Sequence, residues 1–447
     1  MVFTPASRTI WRCGWSLMAS GLQSSPHWAR ATWSASCIPI ASRRYLRVTA
    51  KPPKFETIEP EQLMEEERVP GYEAHWYYPV NLFQLFNDRY LTVAKLGYGT
   101  SSTVWLCRDT HSRSDETVYI TLKVYTNCAK SPRELPIYEH INNLHSTHAG
   151  LGVVRKMLAH FTITGPHGDH VCLVHEPCGM DLHDLKAWGL PLDAPLLRVL
   201  LRSAINGLEF LHEEAKVVHT DLHPGNILMG IHEERNADVL AAMERVETVT
   251  PAPRKILPGR TIYASVRMPL THGVPLISDL GEARRVEDIV SQDLVMPGPM
   301  PAPEVILGMP WGCPVDIWSV ALTAWYLWEP CGLFRIEDEE GKYSDEHHLA
   351  HMVALLGLPP LDFLERSEYC WKYWNRDGTW KGAIPIPIDC TLESAEERLE
   401  GDEKQLFLTW IRKMLQWKPE DRADWNGVYF DHWLCADLLE SGVMVDE

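Results

Sequence analysis

The sequence predicts an α+β fold, with its strands early in the chain and its helices later. Residues 91–125 alternate apolar and polar side chains, which is typical of half-buried strands. The segment Leu192–Leu211 shows helical periodicity, and the apolar run Ile317–Trp328 is too short to span a bilayer and is predicted to be a buried helix. With 447 residues, 45% hydrophobic content and 18 tryptophans, the chain can form one large two-lobed domain or two medium ones.

Charge separates the start of the chain from its body. Residues 1–50 hold six arginines and no lysine or acidic residue, so this segment carries +6. Since the whole chain carries −18, the rest carries −24 and is expected to repel nucleic acid and to attract a basic partner. Residues 1–53 are predicted to be a tail, either disordered or a mitochondrial transit peptide, or the product of a start codon placed too far upstream. Residues 54–89 are predicted to be a lead-in to the first domain.

A glycine-rich turn follows the strand-like run Leu91–Leu96. The turn reads Gly97-Tyr98-Gly99-Thr100-Ser101-Ser102 and leads into a second strand that starts at Thr103-Val104. Glycines leave the tip of such a hairpin without side chains, so that a phosphate can approach the backbone. A Gly-x-Gly pair alone is a weak signal, because most such pairs are plain turns.

One lysine lies within the next predicted strand. Lys123 is the only charged residue of Val118–Val124. A lysine that points inward from a strand requires an anionic partner, for which phosphate and Glu134, at the start of the helical segment Glu134–Leu144, are both candidates. The alternative is an exposed lysine on the edge of a sheet.

The segment His219–Leu228 combines a carboxylate and an amide that phosphoryl transfer could use. Asp221 could accept the proton of an incoming hydroxyl, and Asn226 could hold a metal ion on the phosphates of a nucleotide. Pro224 and Gly225 favour a turn between them, so that both side chains can face one site. The alternative is an ordinary polar turn after a helix.

A second candidate metal ligand lies far along the chain. Asp279 follows the buried-looking strand Val274–Ser278, and it stands 53 residues after Asn226. A tight hairpin cannot fill this distance, so an irregular insertion is predicted over about 230–275. Pro297–Glu304 is rich in proline and is predicted to be extended rather than helical.

Two further patterns contain residue types that can bind a metal ion. His347 and His351 are spaced as neighbours on one face of a helix, but no third ligand has a suggestive spacing. The eleven cysteines are scattered, odd in number and without a Cys-x-x-Cys pair, which indicates reduced thiols rather than a disulfide or zinc framework.

Taken in order, these motifs resemble the eukaryotic protein kinase domain, from about residue 90 to 435. The details that narrow the resemblance are His-Thr-Asp at 219–221, Ser-Thr-Val-Trp at 102–105, Asp-x-Gly-Glu-Ala-Arg at 279–284, and the insertion before Pro-Leu-Ile-Ser-Asp. They are similar to the SR-protein kinase (SRPK) family, in its fungal branch. The resemblance implies a two-lobed fold, with a small β-rich N-lobe over 90–178, a large helical C-lobe over 179–435 that contains the insertion, and a tail over 436–447.

The resemblance also implies a role for each motif residue, with ATP and Mg²⁺ as cofactors. Asp221 would be the catalytic base, and Lys123 would hold the α- and β-phosphates and pair with Glu134. Asn226 and Asp279 would hold the metal ions. Glu304 and Arg422 would form a buried ion pair, and Asp316 would anchor the catalytic loop. The residues implied to contact ATP are Leu96, Gly97, Tyr98, Gly99, Thr100, Ser101, Ser102, Thr103, Val104, Lys123, Glu176 and Cys178.

Several positions depart from the family pattern. His223 replaces a lysine that would contact the transferring phosphate, and His175 replaces a bulky apolar residue behind the adenine. Met300-Pro301 stands where Tyr-Arg is expected, and His347 and Ala354 fall at two positions where SRPK relatives carry docking acids. The stretch Asp279–Glu304 has Ser291 as its one hydroxyl residue, so activation by phosphorylation of this loop is not expected.

The resemblance implies a protein substrate, basic or rich in Arg and Ser, for a monomeric enzyme that binds neither nucleic acid nor membrane. The expected location is the cytoplasm and nucleus, or the mitochondrion if the tail is a transit peptide. Two alternatives compete with an active kinase. A pseudokinase scaffold is suggested by His223, His175 and Pro301. A small-molecule phosphotransferase is suggested by Asp-Leu-His-Pro-Gly-Asn at 221–226, although Ala302-Pro303-Glu304, Asp316-x-Trp318 and Arg422 are typical of a peptide-binding platform.

Overall fold

A computed structural model describes residues 54–112, 117–128, 132–289, 295–296 and 300–444, with the backbone alone over 233–237. The predicted tail over 1–53 and the hydroxyl of Ser291 lie outside the described residues. The described residues divide into a β-rich unit, with members from 54–128, 161–172 and 233–267, and a helical unit, with members from 132–160, 173–232 and 268–444. The predicted α+β class and the presence of two lobes are confirmed.

Twelve strands are found within the described residues. They are β1 Leu85–Phe86, β2 Tyr90–Tyr98, β3 Ser102–Asp109, β4 Val118–Tyr125, β5 Met157–Gly165, β6 Gly168–His175, β7 Val217–Val218, β8 Ile227–Met229, β9 Arg254–Leu257, β10 Arg260–Tyr263, β11 Pro275–Ile277 and β12 Arg284–Arg285.

Twelve α-helices are found in the same part of the chain. They are α1 Glu134–Asn142, α2 Leu182–Ala187, α3 Ala194–Glu213, α4 Glu233–Val249, α5 Pro303–Ile306, α6 Pro314–Trp328, α7 Asp345–Leu356, α8 Leu361–Leu364, α9 Leu392–Ala395, α10 Gly401–Met414, α11 Trp425–Tyr429 and α12 Ala436–Glu440. None of these is long and apolar enough to cross a membrane.

A six-stranded sheet forms the core of the β-rich unit. Its strands lie in the order β1-β2-β3-β4-β6-β5, and β1 to β4 pair antiparallel. Buried apolar residues such as Val93, Leu106 and Leu122 line its interior, as the alternation over 91–125 predicts. Because β4 lies between β3 and β6, Lys123 is on a central strand, and the alternative of an edge lysine is wrong.

The insertion, residues 233–267, belongs to the β-rich unit and is regular in structure. It consists of helix α4 and the hairpin β9–β10. The lead-in pairs with it: the backbone N–H of Ile58 donates to the carbonyl of Arg254, and the N–H of Arg254 donates to the carbonyl of Glu56, both at 3.0 Å. The insertion was predicted to be irregular and to belong to the C-lobe, whereas it is regular and belongs to the β-rich unit. Its helix α4 was not predicted, because polar and apolar residues are mixed along it and show little helical periodicity.

Two long helices organise the helical unit. Helix α3 begins after Asp193, whose carboxylate caps it by accepting the N–H of Leu196 at 2.9 Å, with Pro195 in its first turn. Helix α6 is buried along almost its whole length, as predicted for the apolar run Ile317–Trp328. Both helices begin and end within three residues of the predicted segments.

One local prediction in this unit is wrong. The run Pro297–Glu304 was expected to be extended, but Pro303 and Glu304 open the short helix α5. Proline fits the first turn of a helix, because its missing N–H would have no partner within the helix there.

Candidate active site

The catalytic loop, His219–Leu228, is anchored by one buried carboxylate of helix α6. Asp316 is fully buried and accepts three hydrogen bonds: from the backbone N–H of His219 at 2.7 Å, from that of Thr220 at 2.8 Å, and from the His212 ring at 2.7 Å. Burial alone would raise the pKa of Asp316, but the His212 hydrogen bond and the other donors lower it below its ordinary value. The carboxylate is therefore charged, and it fixes the start of the loop, as the resemblance implies.

Thr220 holds an unusual backbone conformation within this loop. Its φ is +65°, in the left-handed region that β-branched residues rarely occupy. Two contacts maintain it, namely the bond from its N–H to Asp316 and the bond from its hydroxyl to the carbonyl of Glu282 at 2.6 Å. Such a conformation costs on the order of 1–3 kcal/mol and persists only where the surrounding structure compensates. It turns the chain so that Asp221 follows directly after the anchored residues.

Asp221 and Asn226 contact each other across a tight turn. Residues Pro224–Asn226 form one turn of 3-10 helix. The Asn226 amide donates to the carbonyl of Asp221 at 2.9 Å and to its Oδ2 at 3.2 Å. Since the Nδ2 atom makes these bonds, the Oδ1 atom of Asn226 remains as an acceptor. The two side chains lie together, as the sequence predicts.

The electrostatic setting of Asp221 suits a proton acceptor. Burial and the negative charge of Asp279 raise its pKa to about 7, although the hydrogen bond from Asn226 lowers it in part. A carboxylate with a pKa near the working pH can accept a proton and release it again.

Hydrogen bonds join the catalytic loop to the segment that carries Asp279. Strand β8 pairs antiparallel with β11, and beyond this pair the N–H of Ser278 donates to the carbonyl of Asn226 at 2.8 Å. The ring of His219 donates from Nε2 to the carbonyl of Ser278 at 3.1 Å and accepts the N–H of Asp221 on Nδ1 at 3.2 Å. These bonds place Asp279, with φ +59°, at the end of β11 beside the loop.

The donor set of this site fits a hard divalent cation. Asn226 offers an amide oxygen and Asp279 a carboxylate, and both are ligand types that Mg²⁺ prefers. Asp279 is exposed, and one of its carboxylate oxygens accepts the N–H of Gly281 at 3.2 Å. When bound, a metal ion would neutralise charge on the phosphates of a nucleotide.

His223 is a neutral neighbour of Asp221. Its Nδ1 accepts the N–H of Gly225 at 3.1 Å, so the ring proton lies on Nε2, which is 3.8 Å from Oδ2 of Asp221. Burial, and next the nearby His219, lower the pKa of His223 to about 4. A lysine at this position would be charged, whereas this imidazole is not.

Glu134 is buried at the start of helix α1. It is 1% exposed, and its Oε1 accepts the N–H of Leu280 at 3.1 Å, which connects α1 to the residue after Asp279. Lys123 is half-buried on β4, with Nζ 5.1 Å from the centre of the Tyr125 ring. The predicted Lys123–Glu134 pair joins residues of two different units and stays a prediction.

The glycine-rich hairpin joins β2 and β3. Gly97 lies opposite Val104 and Tyr98 opposite Thr103, and the N–H of Gly99 donates to the carbonyl of Ser102 at 2.9 Å to close the turn. Apart from each glycine and its chain neighbours, no atom of the described residues lies within 4 Å of where a Cβ would stand on Gly97 or Gly99, so these residues leave the space over the turn open. Ser102 and Thr103 are buried, whereas Thr100 and Ser101 are exposed at the tip.

The segment after β6 carries the residues implied to contact adenine. Cys178 is buried, and burial raises the pKa of its thiol. The carbonyl of Glu176 accepts the Arg155 guanidinium, at 2.9 Å from its Nη2. His175 is buried and donates from Nδ1 to the carbonyl of Lys156 at 3.0 Å, so it is a satisfied core histidine.

Glu304 and Arg422 form the buried ion pair that the sequence predicts. Two parallel hydrogen bonds of 2.7 and 2.6 Å join them, and both side chains are almost completely buried. Arg422 also donates to the carbonyls of Pro314 and Gln416, so the guanidinium is well satisfied. The pair ties α5 to the chain that precedes α11.

His347 and His351 lie on helix α7, as predicted. The Nε2 atom of His351 lies 3.9 Å from the Sγ atom of Cys390. Within the described residues, no group of three or more histidines, cysteines or acids is arranged to hold a metal ion.

Sequence reasoning missed two supporting residues, His212 and Glu282. His212 is the third donor to Asp316, and its Nδ1 accepts the indole N–H of Trp425 at 3.1 Å. The carbonyl of Glu282 holds Thr220. A histidine within a helix has no distinctive sequence pattern, and the motif that contains Glu282 does not indicate that its backbone carbonyl is an acceptor.

Comparison with known proteins identifies the family. Residues 90–434 match the model of the protein kinase domain. A serine/threonine protein kinase of Aspergillus fumigatus is 38% identical over an alignment of 406 residues that covers 88% of this chain and 98% of that protein. The serine/threonine-protein kinase SRPK of Physarum polycephalum is 29% identical over 80% of this chain and 89% of its own length, and human SRSF protein kinase 3 is 24% identical over 87% and 94%. The chain therefore belongs to the protein kinase family, and it is a serine/threonine protein kinase similar to the SRPK group.

Proposed function

We propose that this kinase transfers the γ-phosphate of Mg-ATP to serine hydroxyls in basic, Arg/Ser-rich proteins, with Asp221 as the catalytic base. The observation that carries the proposal is the position of Asp221. Its carboxylate has a pKa of about 7, contacts Asn226, and lies on a loop that Asp316 fixes. The substrate oxygen bonds to the γ-phosphorus, the bond from that phosphorus to the β-phosphate oxygen breaks, and the hydroxyl proton passes to Asp221.

Asn226 and Asp279 are the proposed magnesium ligands. The amide oxygen of Asn226 is left free by the bonds that its Nδ2 makes to Asp221. Together with the Asp279 carboxylate it forms an all-oxygen donor set, which favours Mg²⁺ over softer metals. With Ca²⁺ in place of Mg²⁺, we expect nucleotide binding with little transfer, because the larger ion accepts looser coordination.

ATP is proposed to contact Lys123, the glycine-rich hairpin and the segment from Glu176 to Cys178. Among the described residues, the backbone N–H of Cys178 has no hydrogen-bond partner, although the residue is 4% exposed. A buried N–H without a partner is costly, so a ligand acceptor at this point would be favourable. An adenine ring nitrogen would supply such an acceptor.

The substrate class rests on charge and on the relatives. Residues 51–447 carry −24, which favours a cationic substrate through long-range attraction. The human relative is named for SRSF proteins. Arginine-rich peptides present fixed cations to such a surface, and their affinity should fall as salt is raised.

The test uses the purified full chain with Mg-ATP and four matched substrates. These are an Arg-Ser repeat, an Arg-Ala repeat without hydroxyls, a Lys-Ser repeat without guanidinium groups, and choline. We expect transfer to Arg-Ser, weaker transfer to Lys-Ser, and none to Arg-Ala or choline. Asp221→Asn should reduce the rate of phosphoryl transfer by a factor of about 10³ or more. The exposed control Asp402→Asn should keep the rate of the wild type.

Each part of the proposal has an outcome that would contradict it. Phosphoryl transfer that persists in Asp221→Asn would contradict the assignment of Asp221 as the catalytic base. Equal transfer to the Arg-Ser and Lys-Ser repeats would contradict the preference for Arg/Ser-rich substrates, while leaving the kinase activity in place. Transfer to choline alone would favour the small-molecule alternative.

A further inference from the structure

A tyrosine of the lead-in contacts the tip of the glycine-rich hairpin. The hydroxyl of Tyr77 lies 2.9 Å from the carbonyl oxygen of Gly99 and 3.0 Å from that of Thr100. The residue is 4% exposed, and burial, and next the charge of Glu66, raise its pKa to about 12. The hydroxyl therefore keeps its proton at any physiological pH and serves as a donor that the two carbonyls share.

A third carbonyl of the tip also accepts a hydrogen bond from the protein. The N–H of Thr126, just after β4, donates to the carbonyl of Ser101 at 2.8 Å. Three consecutive carbonyls, those of residues 99 to 101, thus accept hydrogen bonds from the protein. Since the C=O and N–H of a trans peptide point in opposite directions, fixing the first two carbonyls also sets the direction of the N–H groups of Thr100 and Ser101.

Those two N–H groups are available to a ligand. Neither has a hydrogen-bond partner among the residues that the structure describes, and both belong to exposed residues. Adjacent free N–H groups at an open turn form a concave anion site, provided that the turn holds its shape. A glycine-rich turn does not hold its shape unaided, because glycine has the widest conformational freedom.

Tyr77 is itself held by the insertion. The Arg260 guanidinium of strand β10 donates to the carbonyl of Tyr77 and to the hydroxyl of Tyr72, the latter at 2.7 Å. On the other flank, the N–H of Asn127 donates to the carbonyl of Trp76 at 3.0 Å. The backbone carbonyls of Trp76 and of Tyr77 itself are therefore fixed, which restricts the movement of the Tyr77 hydroxyl away from the hairpin.

We propose that Tyr77 is a positioning residue for ATP: its hydroxyl fixes the carbonyls of Gly99 and Thr100, so that the N–H groups of Thr100 and Ser101 face the phosphates. This inference rests on the proposed function, in which the hairpin covers the nucleotide. The lead-in and the insertion would then both support ATP binding, since Arg260 holds Tyr77 in place. Loss of the Tyr77 hydroxyl should weaken the binding of the phosphates and leave the binding of the adenosine unchanged.

The test measures nucleotide dissociation constants for Tyr77→Phe, which removes one oxygen and keeps the buried ring. We expect the affinity for ATP to fall about 2- to 12-fold, the range of one net hydrogen bond, and the affinity for adenosine to stay within a factor of two of wild type. In turnover, the KM for ATP should rise while the KM for the peptide stays unchanged. A merely structural role would weaken both ligands alike.

Tyr78→Phe is the matched control. The adjacent hydroxyl accepts the Gln84 side chain at 2.9 Å, and no hydrogen bond to the hairpin is recorded for it in the described residues. This variant should bind ATP and adenosine as wild type does. A second variant, Arg260→Gln, loosens the support of Tyr77 and should lower the ATP affinity in the same selective way, but by less.

The outcomes separate this inference from the proposed function. A wild-type chain that binds no ATP would overturn the function, and this role with it. A wild-type chain that binds and transfers, with Tyr77→Phe unchanged or equally weakened for ATP and adenosine, would overturn the positioning role alone.

Discussion

The catalytic loop and the insertion hold their charged groups in different ways. The loop depends on one carboxylate, Asp316, which accepts hydrogen bonds from His219, Thr220 and His212. The insertion and lead-in instead use several separate ion pairs. They are Lys95 with Glu65 and Glu66, Lys255 with Glu67, Arg254 with Glu247, and Arg108 with Glu244.

This difference predicts which single substitutions should reduce stability and activity most. In the loop, three donors share the carboxylate of Asp316, so its removal leaves all three without this partner in a buried site. In the insertion and lead-in, the ion pairs are formed by different residues, so the loss of one ion pair leaves the others in place. The loop also contains Asp221, which is half-buried and near the acid Asp279, whereas the acids of the insertion are paired with cations. The loop thus contains a carboxylate whose charge its surroundings disfavour, whereas the acids of these ion pairs have cationic partners.

The largest expected effect comes from breaking the single anchor. Asp316→Asn keeps the shape but removes the charge and one acceptor oxygen. We expect the free energy of unfolding to fall by about 3–5 kcal/mol and kcat to fall about 100-fold or more, because Thr220 loses the bond that maintains its left-handed backbone. Urea unfolding and peptide phosphorylation measure the two effects.

The control for this substitution is Ser319→Ala on the same helix, one turn further on. Its hydroxyl bonds back to the carbonyl of Val315 at 3.2 Å. It should change stability by less than about 1 kcal/mol. Asp316→Asn with near-normal kcat would show that the loop does not depend on one anchor.

A smaller loss is expected from one pair of the insertion. Lys255 is 2% exposed, and its Nζ lies 2.9 Å from both carboxylate oxygens of Glu67. Lys255→Met should lower the free energy of unfolding by about 2–4 kcal/mol, somewhat relieved because Glu67 can regain water, while kcat changes less than tenfold. The exposed Lys54→Met is the control. A loss of activity as large as that of Asp316→Asn would end the contrast between the two regions.

Replacing Asp221 by asparagine should increase the stability of the protein in a pH-dependent way. The folded-state pKa of Asp221, about 7, lies above its unfolded value of about 3.9, so the stability of the wild type decreases as pH rises from 4 to 7 and stays low above that. Asp221→Asn removes this decrease. Without nucleotide, we expect the variant to be more stable by about 1–3 kcal/mol at pH 8.5 and equal at pH 4.

Chemical unfolding at both pH values checks the sign of this effect. Glu214→Gln, an exposed acid at the end of α3, should show no gain at either pH. A gain for Asp221→Asn at pH 4, or none at pH 8.5, would mean that the carboxylate is not destabilised by its surroundings.

The smallest expected effect lies between helix α4 and the sheet. The hydroxyl of Tyr119, on β4, donates to Glu244, on α4, which also pairs with Arg108. Tyr119→Phe should cost about 1 kcal/mol, because Arg108 still satisfies the acid. A double-mutant cycle with Glu244→Gln measures the coupling. A coupling above about 3 kcal/mol would show that this pair, too, acts as a single anchor.

The sequence predicted some contacts of the candidate site better than their surroundings. The Asp221–Asn226 contact and the Glu304–Arg422 ion pair are present as expected, and Asp316 anchors the loop, because each of these residues belongs to a short motif whose chemistry requires that residue type. The roles of Asp221 as base and of Asn226 as metal ligand stay predictions. The supporting contacts of His212 and Tyr77 were not predicted, because they join residues that are distant in sequence. Tyr77 to Gly99, for example, spans 22 residues.

The α+β class, the order of the motifs and the long helices α3 and α6 follow from the sequence alone, because periodicity and turn residues act over a few residues along the chain. Three features follow from tertiary packing instead: the insertion joins the β-rich unit, Lys123 lies on a central strand, and a tyrosine of the lead-in contacts the glycine-rich hairpin. Those outcomes depend on which distant surfaces bury one another, and local sequence patterns carry little information about that choice.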